Sequence, residues 1–201
     1  EFQDALASSA PTPGGGSAAG VALGQAAALA VMVSDLTLGN DKFREGWAIS
    51  EQVKAIAIPM LEEGLNLATE DSEAFDAVVD SFKLPKDTDQ LKSERRDAIR
   101  SATLGAAEVP YRTAVSALHL LKLLPELASQ GNPNAASDVG VASLLASAAF
   151  NGAIFNVEIN LQSLPEDYGT DMRKGLPDLI ENGRIYSRKA MDAVRDRLSN
   201  K

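Results

Sequence analysis

Residues 18–33 consist almost wholly of alanine, glycine, valine, leucine and methionine, with Gln25 the one polar interruption. Such a run lacks the alternation of a half-buried strand, and alanine is the strongest helix former. Small side chains let neighbouring helices approach closely, so the run predicts a buried helix inside a bundle. It is the only stretch that reads as a membrane candidate, and it is about a turn too short to span. An aromatic share of only 5% favours close-packed helices over a sandwich, and 45% hydrophobic residues suffice for one core.

The remaining pattern is helical too. Phe2, Ala5 and Leu6 form the apolar patch of a short first helix. Pro11-Thr12-Pro13-Gly14-Gly15-Gly16 forbids regular structure, because the prolines remove donors and the glycines admit left-handed backbone. Ser17 is placed to cap the small-residue helix, which runs to about Leu38 before Gly39-Asn40-Asp41 breaks the chain. Phe43, Trp47, Val53, Ile56, Met60 and Leu67 recur at helical spacing, with Pro59 expected to kink or divide the helix. Helix continues over 71–82, with Phe75, Val78, Val79 and Phe82 on one side.

Leu84-Pro85-Lys86-Asp87 forms a loop, and Thr88 caps a helix over 89–108. Pro110 opens another that reaches about Gln130, with Pro125 a kink point. Gly131-Asn132-Pro133-Asn134 is a polar loop, and Ser137 or Asp138 starts a helix ending near Leu161. After a turn over 165–169, an amphipathic helix interrupted at Pro177 reaches Leu198. No strand-like alternation or fixed-period repeat competes. The expected fold is all-α: a single-domain helical bundle over residues 1–201, with long, partly kinked helices and a dimeric assembly.

Nineteen Lys and Arg residues stand against 28 Asp and Glu, a net charge of -9. That field opposes nucleic acid and anionic membranes, so neither is expected as a partner. The absence of cysteine removes disulfides and thiolate metal sites. The single histidine, His119, lies among leucines, where a structural or surface role is the default, so no metal site is expected. No signal peptide is visible, and a cytoplasmic location is the expectation.

Acid–base chemistry therefore falls to Asp, Glu, Lys, Tyr or water. The Pro-Gly segment reads equally as a loop of free N–H groups able to hold an anion or as a tight turn. Asn132, Asn134, Ser137 and Asp138 crowd between two apolar helices, where capping is the commoner use. Asn156 and Asn160 share a helical face, with Asn151 roughly 140° away from Asn156. One such amide can serve neighbouring backbone; more than one points to a flat polar ligand. Asp71, Glu70 and Glu73 are candidate acids or merely solvated, and Lys86, Arg95, Arg96 and Arg112 are candidate carboxylate holders or surface residues.

Taken together, the motifs resemble a known family. Leu6-Ala7-Ser8-Ser9-Ala10-Pro11-Thr12-Pro13-Gly14-Gly15-Gly16-Ser17 is similar to the opening of formiminotetrahydrofolate cyclodeaminases and methenyltetrahydrofolate cyclohydrolases. In the same order follow Met32-Val33, Leu36-Thr37-x-Gly39, Lys42-Phe43, Asp71-x-x-Ala74-Phe75-Asp76 and Leu84-Pro85-Lys86 with Lys92 and Arg95. Val109-Pro110, Gly131-Asn132-x-Asn134-x-x-Ser137-Asp138 and Asn156-Val157-x-Ile159-Asn160 complete the set, spanning residues 2–162. Asp35 stands where the family more often has asparagine, and Phe43 where tyrosine is common.

The resemblance implies a compact, dimerising helical bundle acting on a tetrahydrofolate derivative, with no cofactor beyond that substrate. Its expected reaction is that of a cyclohydrolase, interconverting 5,10-methenyl- and 10-formyl-tetrahydrofolate. Next comes a cyclodeaminase that closes the 5-formimino compound and releases ammonia, and third a non-catalytic folate-binding or assembly protein. Catalytic roles are expected for Asp138, Asp71 and Lys86. Substrate binding is expected for Pro13, Gly14, Gly15, Gly16, Thr37, Lys42, Arg95, Asn132, Asn134, Ser137, Asn156 and Asn160.

Overall fold

The computed structural model describes residues 1–199, all of them in helices, turns or short connections with no strand among them. Six helices succeed one another: α1 (Phe2–Leu6), α2 (Gly15–Thr37), α3 (Trp47–Ser81), α4 (Asp89–Gln130), α5 (Ala136–Gln162) and α6 (Thr170–Ser199). Two 3-10 turns, Asp41–Gly46 and Pro133–Ala135, lead into α3 and α5. Helices α2, α3, α4 and α5 close a ring in which each packs against the next, and α6 lies outside against α4 and α5.

The small-residue run forms α2, and its alanines do what their size allows. Ala26, Ala27, Ala30 and Val33 are fully buried beside Leu23. Where α2 crosses α3, a β-carbon on Gly20 would lie 2.7 Å from the Gly64 carbonyl oxygen, and one on Gly64 equally close to the Gly20 oxygen. The two backbones touch there, and no side chain fits between them. Leucines 120, 121, 124 and 127 of α4 and Phe150 of α5 join the buried residues of α2 in one core, and Val157 packs in a smaller cluster with Ala107 and Leu161.

Three sequence expectations are corrected. None of Pro59, Pro110 and Pro177 divides its helix: α3, α4 and α6 run unbroken through them, as α4 also does through Pro125. An interior proline costs about 3 kcal/mol, but Val109, Thr113, Ala114 and Ala117 are buried around Pro110, and packing outweighs that cost. Ser17 is not the cap of α2. Gly14 occupies that place, and Ser17 sits a turn further in, its hydroxyl accepting the Gly14 N–H at 3.4 Å. Nor do Ser137 or Asp138 cap α5, which starts from Ala135; Asn132 instead caps the preceding 3-10 turn by accepting the Asn134 N–H at 3.0 Å. Thr88 does cap α4, accepting the Leu91 N–H at 3.2 Å.

A second apolar helix also emerges. Both α2 and the stretch Pro133–Gln162 are long and apolar enough to cross a membrane by length and composition, and both are half buried in this bundle.

Candidate active site

At the start of α2, the Pro-Gly segment closes over the far end of α3. Thr12 donates to Asp76 at 3.4 Å, and Ser17 donates to Asp71 at 2.9 Å. Beneath this closure lies a cleft of about 360 Å³ walled by Gly14, Gly15 and Gly16, by Asp71, Phe75 and Val78 of α3, by Ala106 of α4, and by Asn156, Ile159 and Asn160 of α5. A hollow under α1 is larger, at about 500 Å³, but its carboxylates Glu73 and Asp76 are exposed. The partly buried Asp71 makes the cleft the candidate site.

Burial pushes the Asp71 carboxyl above its ordinary pKa, while hydrogen bonds from the Ser17 side chain and backbone pull it partly back. No lysine or arginine lines the cleft. The carboxylate is therefore desolvated without a counter-charge, a setting that suits a proton acceptor or a cationic ligand.

The amides arrive by a different route. Pro110 has no N–H, so the Ala106 carbonyl loses the helical partner it would have four residues on. Asn160 fills that vacancy across the helix pair, its Nδ2 donating to the Ala106 oxygen at 2.8 Å. Asn156 donates to its own helix, at the Gly152 oxygen, also at 2.8 Å. Each bond uses one N–H of a group able to make four, which leaves donor and acceptor capacity in the cleft wall. Asn151, on another face, is exposed and bonded to Ser147.

The sequence-predicted residues thus divide by place. Gly14, Gly15, Gly16, Asp71, Asn156 and Asn160 share the cleft, while Pro13 faces the hollow under α1. Thr37 and Asn132 form a joint at the opposite end of α2: the Asn132 N–H donates to the Thr37 hydroxyl at 3.0 Å, and its amide donates to the Leu36 oxygen at 3.1 Å. Trp47 Nε1 adds a bond to the Thr37 oxygen at 3.2 Å. Lys42, Asn134 and Ser137 are exposed near that end, and Asp138 is half-buried in the first turn of α5. At 1.5 Å per residue, Asp138 lies roughly 27 Å along α5 from Asn156. Lys86 is exposed in the α3–α4 connection, away from the cleft wall. Arg95 clasps that connection, donating to the Phe82 oxygen at 3.0 Å and lying over its ring. Asp35 pairs with Lys54 of α3, and His119 is exposed.

Phe75, Val78, Ile159 and Ser163 line the cleft but were not among the expected site residues. Their signal was visible: 71, 75 and 78 share a helical face, as do 156, 159, 160 and 163. Phe75 is 43% exposed and Phe82 55%, so the apolar side of this part of α3 faces open space rather than a core.

Residues 1–175 match the formiminotransferase-cyclodeaminase family. The chain belongs to that family. It is 35% identical over 199 residues to a methenyltetrahydrofolate cyclohydrolase of Methylorubrum extorquens, covering 98% of this chain and 96% of that protein. A formimidoyltransferase-cyclodeaminase of Gallus gallus is 32% identical over 184 residues, which cover 91% of this chain and 34% of that longer protein. Among solved structures, the formiminotetrahydrofolate cyclodeaminase of Thermotoga maritima superposes with a TM-score of 0.82 at 28% identity, covering 100% of this chain and 94% of that one.

Proposed function

We propose that this one-carbon folate enzyme is a methenyltetrahydrofolate cyclohydrolase, with the Asp71 cleft as its reaction site. The observation that carries the reading is a partly buried carboxylate, unpaired by any cation among the described residues, in a cleft walled by amides. The methenyl bridge is an amidinium cation, which such a carboxylate attracts. The near full-length likeness to the cyclohydrolase supports the choice over a cyclodeaminase.

In the proposed reaction, water adds to the bridge carbon while its proton passes to Asp71. The bond from that carbon to N5 then breaks as N5 takes the proton from Asp71. The remaining hydroxyl releases its proton to solvent and becomes the formyl oxygen on N10. One cation and one water give one neutral formyl product and one proton. In this reading Asn156 and Asn160 read the pterin edge. No group beyond the folate is required, and the setting is the cytoplasm.

The reading includes a homodimer. Val141, Leu144, Phe155 and Ile159 form an exposed apolar stripe along α5, and Met32 and Leu36 of α2 are exposed as well. A second copy packed antiparallel on this stripe would bring the Ser137–Asp138 end of one α5 to the Asn160 end of the other. That arrangement would unite the two groups of motif residues that one chain keeps apart.

The test is the ultraviolet absorbance of 5,10-methenyl-tetrahydrofolate mixed with the purified protein, beside a trial with the 5-formimino compound. Enzyme-dependent loss of the methenyl band without ammonia release is expected. Ammonia release with growth of that band would make the protein a cyclodeaminase, and tight binding without turnover would make it a folate-binding protein.

A further inference from the structure

We propose that Ser17 is a positioning residue that fixes which oxygen of Asp71 carries the reaction's proton; this rests on the cleft being the reaction site. Ser17 is fully buried, and its hydroxyl meets three partners: the Gly14 N–H at 3.4 Å, the Ser72 hydroxyl at 3.1 Å and Asp71 Oδ2 at 2.9 Å. A hydroxyl has one proton and two lone pairs. The Gly14 N–H can only donate, and ionised Asp71 can only accept. The Ser17 proton therefore goes to Asp71 Oδ2 and the Gly14 N–H donates to Ser17, while Ser72 can meet Ser17 only by giving it the one proton that otherwise serves the Ala68 oxygen of its own helix at 3.4 Å.

With Oδ2 held as an acceptor, a proton arriving at Asp71 is directed to Oδ1. That oxygen sits over Gly16 so closely that a β-carbon there would lie 2.1 Å away. Water's proton therefore goes to Oδ1 as the bond from its oxygen to the bridge carbon forms, and it leaves Oδ1 for N5 as the bond from that carbon to N5 breaks. Throughout, Ser17 keeps its own proton. Its part is to stabilise the ionised carboxylate and stop it rotating, while the Gly14 contact ties this state to closure of the Pro-Gly segment.

The experiment is the pH profile of kcat/KM for methenyl hydrolysis by the full chain and by Ser17→Ala, Ser17→Thr and Asp71→Asn. A hydrogen bond to the ionised form holds a carboxyl pKa down, so its loss in Ser17→Ala should move the acid limb up by about one to two pH units. Ser17→Thr, which keeps the hydroxyl, should hold the limb within a few tenths of a unit of the parent, by the same reasoning. An acid limb unmoved in Ser17→Ala, whatever the loss of rate, overturns the proposal. Should Ser17→Ala fail to fold, Ser17→Cys carries the test: its weaker thiol donor should move the limb up by a smaller amount, and no shift overturns the proposal. Asp71→Asn separates this from the reading beneath it. An active Asp71→Asn removes the reaction site itself, whereas an inactive one beside an unmoved Ser17→Ala limb removes only the role of Ser17.

Discussion

Gly16 and Asp71 are in contact across the α2–α3 crossing, with the carboxylate lying where any β-carbon on residue 16 would have to be. The obstruction is a side-chain tip and not backbone, so Gly16→Ala should fold and push Asp71 aside. Misplacing a catalytic group by an ångström costs roughly 100-fold. Gly16→Ala is therefore expected to lower kcat/KM by about that factor, with a cooperative thermal transition retained in calorimetry. Undiminished activity would show that Asp71 does not need this seat.

Asp71→Asn should separate activity from stability. A raised pKa means that the folded protein holds this proton more tightly than the unfolded chain. Above the folded pKa the ionised carboxylate costs stability, and below the ordinary value of 3.8 that cost is gone. The variant should lose about 100- to 10,000-fold in rate. Its Tm should exceed the parent's at neutral pH, with the gain shrinking as pH falls toward 4. Thermal melts of both proteins across that range check the sign.

Asn160→Ala removes the one side chain that serves the Ala106 carbonyl left without a partner by Pro110. An unsatisfied buried acceptor costs about 1–3 kcal/mol, and urea titration should show a loss of that order. KM should rise as well, since the same amide faces the cleft. Asn156→Ala breaks only a bond within its own helix and should raise KM with a smaller loss of stability.

Phe155, at 68% the most exposed residue of the α5 stripe, should anchor the proposed dimer. Phe155→Asp is expected to halve the mass seen by sedimentation, to keep the helical circular dichroism, and to lose activity because the motif groups no longer meet. A fully active monomer would confine the site to one chain.

The helical class was legible because α2 and α5 contain runs of small and apolar residues with no competing alternation. The division of the site was not. Thr37 and Asn132 stand in the same ordered series of motifs as Gly14 and Asn160, yet they close a joint at the far end of α2. Motif order along a chain carries no information about which end of a helix faces which. Pro110 misled for a related reason: local propensity puts a break there, and burial of its neighbours overrides it. The apolar side of 71–82 could be read from the sequence, but only the packing showed that Phe75 lines an open cleft. Asp71 could be singled out only once its seat beneath Gly16 and Ser17 was known.

The gap that Pro110 leaves in α4 also makes positions 110 and 160 a linked pair. Any residue other than proline at 110 restores an N–H for the Ala106 oxygen, so that the oxygen no longer depends on Asn160 and the amide can leave it without stranding a buried acceptor. The freed amide would turn its full complement of donors and acceptor toward whatever occupies the cleft. A substitution in the buried middle of one helix can thus rewrite the recognition surface of another.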